Sequence, residues 1–296
     1  GNANTTSTTT GNTLNFGGGF YLAGDYSGTQ DTFDTNGPIT ITGNVTTSGA
    51  FSLDSSGNPI IFGGTITGGA VTDTVTITDG SGGSENSTIS IGGALSNVRS
   101  VSLTADTSIS LGGNITTTNG SNNDVTITGP AILTANVDID VTANASGTHE
   151  GDITFTSSID DDNSGSASNL ILDADGGAIS VTGAIGANNA IGTLTINNAD
   201  TTHNGTITLG GIGNTAAGAG VTNIGNSSTG TLTLAGTFFT GGDTTYEAAA
   251  GENIVINADT TIKTGATATH DITFQTGEID VKDTFNLTVN SGTGDI

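Results

Sequence analysis

The chain has 296 residues, of which 48 are glycine and only 4% are aromatic, a composition that argues against an ordinary globular core. Its 28 acidic residues outnumber three basic ones, Arg99, Lys263 and Lys282, and the formal net charge of −25 at pH 7 excludes nucleic acid and anionic lipid as electrostatic partners. Cysteine is absent, which excludes a disulfide framework, and no run approaches the roughly 18 apolar residues of a membrane span, so we expect no membrane insertion.

Residues 1–36 differ from the rest of the chain. A polar lead, GNANTTSTTT, is followed by aromatic residues concentrated around FGGGFYLAGDY: Phe16, Phe20, Tyr21, Tyr26 and Phe33. One interpretation is a cap that closes the end of an apolar interior. The other is an arm that docks on the next molecule and so builds a head-to-tail filament. We predict an amino-terminal cap or assembly arm over 1–36, with these aromatic residues in the assembly interface.

From residue 37 to residue 296 one phrase recurs: a strand, a turn that often contains Ala-Asp, a second strand and a glycine corner. The best copies are VSLTADTSISLGGNI (101–115), LILDADGGAISVTGAIG (170–186), LTINNADTTHNGTITLGGIG (194–213) and IVINADTTIKTGATATHDITFQTGEI (254–279). Turn residues of the copies lie about 31 residues apart on average, with wide variation. Regular strand phrases with irregular spacing are typical of a solenoid whose insertions lie at its corners.

Within each phrase the apolar residues alternate. Leu194 and Ile196 share one face of a strand, and Thr195 lies on the other. Helical spacing is absent, and interior glycines would cost a helix about 1 kcal/mol each. We therefore predict an all-β fold, a parallel β-solenoid with irregular coils of roughly 20–35 residues over 37–296. Tandem β-sandwich domains are the alternative, although sandwiches rely on tight hairpins and these strands are separated by variable Gly/Asn/Asp stretches.

Thr-x-Thr triplets recur along the chain and place two hydroxyl groups on the outside of a strand. They are Thr40 and Thr42, Thr65 and Thr67, Thr126 and Thr128, Thr206 and Thr208, and Thr231 and Thr233. A flat, regular array of such hydroxyls is similar to the ice-binding face of some β-solenoids. Threonine is also simply a good residue for an exposed strand, and the irregular spacing of the triplets favours that ordinary interpretation.

The loop SSIDDDNSGSAS (157–168) carries three consecutive carboxylates, close in sequence to two more in LILDADGG. The five residues are Asp160, Asp161, Asp162, Asp173 and Asp175. Calcium takes six to eight oxygen ligands from flexible loops, so an acidic, Gly/Ser-rich loop is a candidate calcium site. The spacing matches neither an EF-hand nor a glycine-rich nonapeptide repeat. A solvated acidic corner is the alternative interpretation.

The chain stops at Gly294, Asp295 and Ile296, which repeat the first residues of the earlier phrases GDITF and HDITF. This pattern indicates a strand interrupted near its start. The chain is then either a piece of a longer parent or a subunit whose last strand is completed by a neighbour. Since an open solenoid end invites strand addition, we predict that Asp295 and Ile296 belong to the assembly interface.

The phrases GDITF (151–155), HDITF (270–274), LTINNAD (194–200) and VNSGTGDI (289–296) resemble the strand repeats of filamentous-haemagglutinin-like proteins and other very large bacterial surface proteins. The resemblance covers roughly residues 37–296. It implies a right-handed parallel β-helix with a structural or adhesive role on the cell surface. The expected location is therefore extracellular.

The function we expect is that of a stalk, fibre or filament-forming element that associates with copies of itself end to end. The alternatives are an adhesin module that binds a surface glycan or protein through its corner loops, and an S-layer subunit. We expect no catalytic residues, because three scattered cations cannot build a site for acidic sugars. The paired carboxylates Asp138 and Asp140 are of the kind that hydrolyses glycosidic bonds, but they alternate along one strand face, where solvation explains them equally well. Calcium is the one candidate cofactor.

Overall fold

The computed structural model describes residues 13–16, 20–22, 26–29, 32–35, 37–79, 87–118, 123–141, 151–197, 205–265, 270–282 and 284–296, with side chains from residue 35 onward. Every regular element within these ranges is a β-strand. The strands are short because glycine, asparagine and aspartate interrupt each alternating apolar pattern after a few residues. All the strand pairs that they form are parallel, and they fall into three ladders.

The first ladder contains β1 (Thr13–Phe16), β4 (Thr32–Thr35), β7 (Ala50–Asp54), β10 (Thr74–Thr78), β13 (Ser100–Thr104), β16 (Val125–Thr128), β19 (Ile153–Phe155), β22 (Ile179–Val181), β24 (Ile207–Leu209) and β26 (Leu232–Leu234). It continues through the last residues of β28 (Thr244–Ile256) and of β30 (Ile272–Val281). These two long strands run around a corner and supply two ladders each.

The second ladder contains β2 (Phe20–Leu22), β5 (Ile39–Ile41), β8 (Ile60–Phe62), β11 (Thr88–Ile91), β14 (Ser108–Leu111), β17 (Ala131–Leu133), β20 (Ile159–Asp161), β27 (Thr237–Thr240), β29 (Thr260–Thr264) and β31 (Leu287–Asn290). Between β20 and β27 the ladder narrows to single parallel bridges at Ile185 and Ile212. The ladder is therefore continuous, although it is thinner there.

The third ladder contains β3 (Tyr26–Thr29), β6 (Val45–Ser48), β9 (Ile66–Gly68), β12 (Leu95–Val98), β15 (Ile115–Thr117), β18 (Val137–Val141), β21 (Leu170–Asp173), β23 (Leu194–Asn197) and β25 (Thr222–Ile224). It ends with the first residues of β28 and β30. The chain visits the ladders in the order one, two, three and then starts the next coil. The predicted all-β parallel solenoid is confirmed, and its cross-section has three sides.

Strand partners in neighbouring coils lie between 19 residues apart, as Thr13 and Thr32, and 33 residues apart, as Val137 and Leu170. The predicted irregular coils of roughly 20–35 residues agree with this range. The recurring phrase is shorter than a coil, since it covers one strand, one corner and the next strand. Its turn residue Asp106 follows a strand of the first ladder, whereas Asp175 follows a strand of the third. The interval between such turn residues therefore does not give the number of residues in a coil.

The core is a continuous apolar column inside the three ladders. Each strand directs alternate residues inward, and equivalent positions stack: Val101 and Leu103 on Val125 and Ile127, and these on Ile153 and Phe155. All six side chains are buried. Fully burying an aliphatic or aromatic side chain stabilises a fold by about 1.5–3 kcal/mol. Outward positions carry mainly threonine, serine and aspartate, so the solenoid presents three polar faces to solvent.

Candidate functional site

Asparagine and aspartate side chains hold successive coils together at the corners. The Asn136 side-chain oxygen accepts a hydrogen bond from the Asn169 N–H at 2.9 Å, and the Asn169 oxygen accepts one from the Thr193 N–H at 2.8 Å. At another corner Asp124 accepts from the Asp152 N–H, and Asp152 accepts from the Ala178 N–H. Each side chain satisfies a backbone donor of the next coil. Many of the acidic residues therefore have a structural role.

The five residues of the candidate calcium loop lie on two faces. Asp160, Asp161 and Asp162 lie on or directly after β20 of the second ladder, whereas Asp173 and Asp175 lie on or directly after β21 of the third. Within the described residues no group of three or more acidic or histidine side chains could hold a metal ion. The structure thus does not bring the five carboxylates together, because the chain turns a corner over 162–169.

The carboxylate of Asp161 closes that corner loop. It accepts hydrogen bonds from the N–H groups of Asn163 and Ser168, both at 2.9 Å, and it is 3% exposed. Burial by itself would raise the pKa of Asp161, but the hydrogen bonds from Ser168 and Asn163 lower the pKa below its ordinary value. Asp160 has a similar role, since it accepts from the N–H and the side-chain amide of Asn188.

A second acidic group lies on the outer face of the third ladder. Asp140 on β18 is the register partner of Asp173 on β21, and Asp138 lies two residues before it on the same face. Burial and then the negative charges of Asp175, Asp173 and Asp138 raise the pKa of Asp140. Burial also raises the pKa of Asp138. This patch places several carboxylates close together on the third face.

The predicted assembly residues lie towards the two ends of the chain. Phe16, Phe20, Tyr21, Tyr26 and Phe33 fall on strands β1 to β4, which pair in parallel with strands of the following coils, and their side chains lie outside the described part of the structure. Whether residues 1–36 act as a cap or an arm stays a prediction. At the other end, the Asp295 N–H donates to the Asp271 carboxylate at 2.9 Å and the Asp295 carbonyl accepts from the Ile272 N–H.

Core positions of the last coil are exposed. Ile279 is 43% and Val281 is 39% exposed, whereas Ile254 and Ile256, their partners one coil earlier, are fully buried. Ile296 is 72% exposed. Ile279 and Val281 occupy inward positions that a further coil covers in the earlier part of the solenoid, and together with Ile296 they form an apolar end surface.

An open cleft of about 480 Å³ lies at the corner where β28 and β30 turn from the third ladder to the first. It is lined by Ala250, Gly251, Asn253, Thr276, Gly277 and Glu278. The register between the two strands shifts here, since β28 carries additional residues between Ala248 and Asn253. Thr276 has a φ of 53°, which is unusual for a residue other than glycine. The cleft offers carboxylate, amide and hydroxyl groups to a ligand.

The first ladder carries a two-column array of hydroxyl groups on its outer face. We call it the hydroxyl face; it consists of Thr76, Thr78, Ser102, Thr104, Thr126, Thr128, Thr154, Thr156, Ser180 and Thr182 on five successive coils. The first column is in register from Thr76 through Ser102, Thr126 and Thr154 to Ser180. In the second column the backbone pairing runs from Thr78 through Thr104 to Thr128.

Two backbone hydrogen bonds extend the second column. The N–H groups of Thr156 and Thr182 donate to the carbonyls of Ile127 and Phe155 in the preceding coils. Beyond Ser180 the first column also continues, to Thr208 and Thr233. Irregular spacing in the sequence concealed this array, because residues inserted at the corners change the interval without changing the strand register. Of the five recognised triplets, those at Thr40 and Thr65 lie on other ladders.

Comparison of the chain with protein-family models, with curated proteins and with solved structures found no match. The described part of the chain contains no apolar helix of the length that a membrane crossing needs. The likeness to filamentous-haemagglutinin-like proteins therefore stays a resemblance in short phrases.

Proposed function

We propose that the chain is a structural element of a bacterial cell surface, a stalk or fibre whose activity is its length and stiffness rather than catalysis. The observation that supports this proposal is the continuity of three parallel ladders around one apolar column. Each coil is hydrogen-bonded to the next along all three faces, so bending the rod requires many bonds to distort together. The acidic surface keeps such a rod hydrated, and no disulfide is required outside the cell.

The second part of the proposal is end-to-end association of copies. The apolar end surface of Ile279, Val281 and Ile296 has the side chains that a further coil would cover. The strands of the last coil of the chain also carry backbone groups suited to strand addition. In this arrangement Asp295 occupies the corner position of Asp271, whose carboxylate accepts the N–H of the next coil. We propose that the first coil of a second copy covers this surface.

Electron microscopy and sedimentation velocity of the purified chain test this function. We expect linear rods that lengthen with protein concentration. The variant Val281→Asp places a charge on the apolar end surface and should shorten the rods. Its matched control is Val221→Asp, which changes a residue of similar exposure in the body of the solenoid, 47% against 39%. Circular dichroism confirms that both variants retain their strands.

Different results would contradict the proposal in different ways. A strictly monomeric chain at every concentration would exclude end-to-end assembly. Sheets with two-dimensional order would indicate an S-layer subunit. Equal shortening by Val281→Asp and Val221→Asp would show that the end surface is not the interface.

The corner cleft supports a second candidate function, an adhesin module. Asn253 and Glu278 offer the amide and carboxylate groups that commonly hydrogen-bond sugar hydroxyls, beside the backbone of Gly251 and Gly277. A neutral surface glycan is the ligand class that this lining suits. Binding to a panel of immobilised neutral glycans, lost in Asn253→Ala and retained in the distant variant Asn58→Ala, would support the adhesin. Absence of binding to the whole panel would contradict it.

A further inference from the structure

The hydroxyl face differs chemically from the rest of the surface. Its ten side chains are all threonine or serine, although the whole chain carries a net charge of −25. Carboxylates border it: Asp54 is the register partner of Thr78, and Asp124 and Asp152, two residues before Thr126 and Thr154, accept backbone hydrogen bonds of the next coil. The corresponding face of the third ladder carries Asp138 and Asp140 instead. The first ladder therefore presents an uncharged strip on an acidic rod.

The strip has a fixed two-dimensional repeat. Neighbouring coils are about 4.8 Å apart, and residues two apart along a strand are separated by about 6.6 Å. Beneath the hydroxyls, the intervening side chains Ile77, Leu103, Ile127, Phe155 and Val181 are buried in the apolar column. Backbone hydrogen bonds fix the spacing between coils, and core packing fixes the position of each strand. The hydroxyls therefore keep their positions when no binding partner is present.

We infer that the hydroxyl face binds ice. Each hydroxyl can donate one and accept two hydrogen bonds, as a water molecule in ice also donates and accepts. The methyl groups of threonine lie beside the hydroxyls and favour ordered water over randomly oriented hydration. Ice presents oxygen atoms at repeats of the same order as those of the strip. Charged groups would orient water differently, and this face has none among its ten residues.

The regularity of the array favours ice over a second protein chain. Two copies packing face to face would need shape complementarity, which neither a uniform residue type nor equal spacing provides by itself. A crystalline partner such as ice requires both the uniform residue type and the equal spacing. The ice-binding activity is independent of the proposed role as a fibre, since it resides on the side of the rod and not on its end surface.

Ice-affinity partition of the purified chain tests the inference, with inhibition of ice recrystallisation as the second measurement. We expect the chain to enter a slowly growing ice phase. Thr154→Lys, in the middle of the strip, should lower the ice-bound fraction several-fold, and Thr154→Ser should retain most of it because serine already occupies two positions of the same column. The matched control is Thr195→Lys, which makes the same change at a half-buried outward position of the third ladder.

Three results would overturn the inference. The first is exclusion of the wild-type chain from ice to the same extent as an unrelated soluble protein. The second is an equal loss of ice binding in Thr154→Lys and Thr195→Lys, with both variants folded by circular dichroism. The third is a dimer in sedimentation velocity that Thr154→Lys dissociates, without retention of the wild-type chain in ice; this would identify the strip as a lateral interface between copies.

Discussion

Tyr246 is the largest fully buried side chain among the described residues, and it has a structural cost. Its ring stacks on Phe274, with centroids 5.5 Å apart, and meets Phe238 edge to face at 6.2 Å. The hydroxyl group has no hydrogen-bond partner among the described residues, and burial raises the pKa of the phenol far above its ordinary value. The aromatic packing stabilises this coil, whereas the buried hydroxyl destabilises it.

Tyr246→Phe is therefore expected to increase the free energy of unfolding by about 1 kcal/mol, because it removes an unpaired buried polar group and keeps the ring. Urea denaturation followed by circular dichroism measures the change. The converse substitution, Phe155→Tyr, serves as the control, because it adds a hydroxyl to another fully buried ring and should decrease stability. A loss of stability in Tyr246→Phe would show that the hydroxyl has a partner.

Asp161 provides a second prediction at this scale. Asp161→Ala leaves the N–H groups of Asn163 and Ser168 without their acceptor, and we expect a loss of about 1–3 kcal/mol. The carboxylate of half-buried Asp162 accepts one solvent-exposed hydrogen bond, from the Ser164 N–H, so Asp162→Ala should cost less. Because hydrogen bonding lowers the pKa of Asp161, its contribution is present above the unfolded value of 3.8 and is lost as the pH falls through the folded pKa. Thermal melts of the three proteins from neutral to acidic pH measure both effects.

At the scale of elements, the corners decide how closely the coils stack. Gly151, Gly177 and Gly205 lie above one another just before β19, β22 and β24. A Cβ atom on Gly177 would lie 2.1 Å from the Gly151 carbonyl oxygen, and one on Gly205 would lie 2.0 Å from the Gly177 carbonyl oxygen. Only glycine fits this column, since any side chain would force neighbouring coils apart.

Gly177→Ala is expected to destabilise the solenoid by about 1–3 kcal/mol, the usual cost of overpacking. The matched control is Gly165→Ala, since a Cβ there meets no atom within 4 Å. That substitution should be neutral or slightly stabilising. Thermal unfolding of both variants measures the difference, and equal melting temperatures would contradict the close stacking of the glycine column.

The strands were predictable from sequence because alternation such as that of Leu194, Thr195 and Ile196 has only one structural interpretation. Parallel stacking followed from repeated phrases without hairpin turns. The face on which each strand lies was not predictable, because coil length varies and three similar sides share one pattern. Asp160 and Asp173 are thus close in sequence but on different faces, whereas Thr76 and Ser180 are far apart in sequence but in the same column.

At the scale of the whole molecule, net charge governs stability. The charge of −25 repels itself along a narrow rod, and the raised pKa values of Asp138 and Asp140 reflect burial and, for Asp140, its carboxylate neighbours. A carboxyl whose folded pKa is raised binds protons more readily in the folded state. Stability therefore increases as the pH falls from neutral towards the unfolded value of 3.8.

We expect the melting temperature to be higher at about pH 5 than at neutral pH, and this difference to shrink in high salt, which screens exposed charges. At neutral pH, Asp140→Asn should reproduce part of this gain. We expect it to increase the free energy of unfolding by less than about 1 kcal/mol, because the site is partly exposed. Calorimetry at two pH values and two salt concentrations measures these effects. A melting temperature that falls on mild acidification would contradict the electrostatic account.

The corners between the second and third ladders differ greatly in length while the strands that they connect stay in register. Three residues, 112–114, join β14 to β15, whereas eight, 162–169, join β20 to β21. A foreign peptide grafted into the longer corner, beside the unobstructed Gly165, would therefore be displayed at one defined height on the edge of the rod. An insertion at this corner lengthens the edge and leaves the three parallel ladders in register.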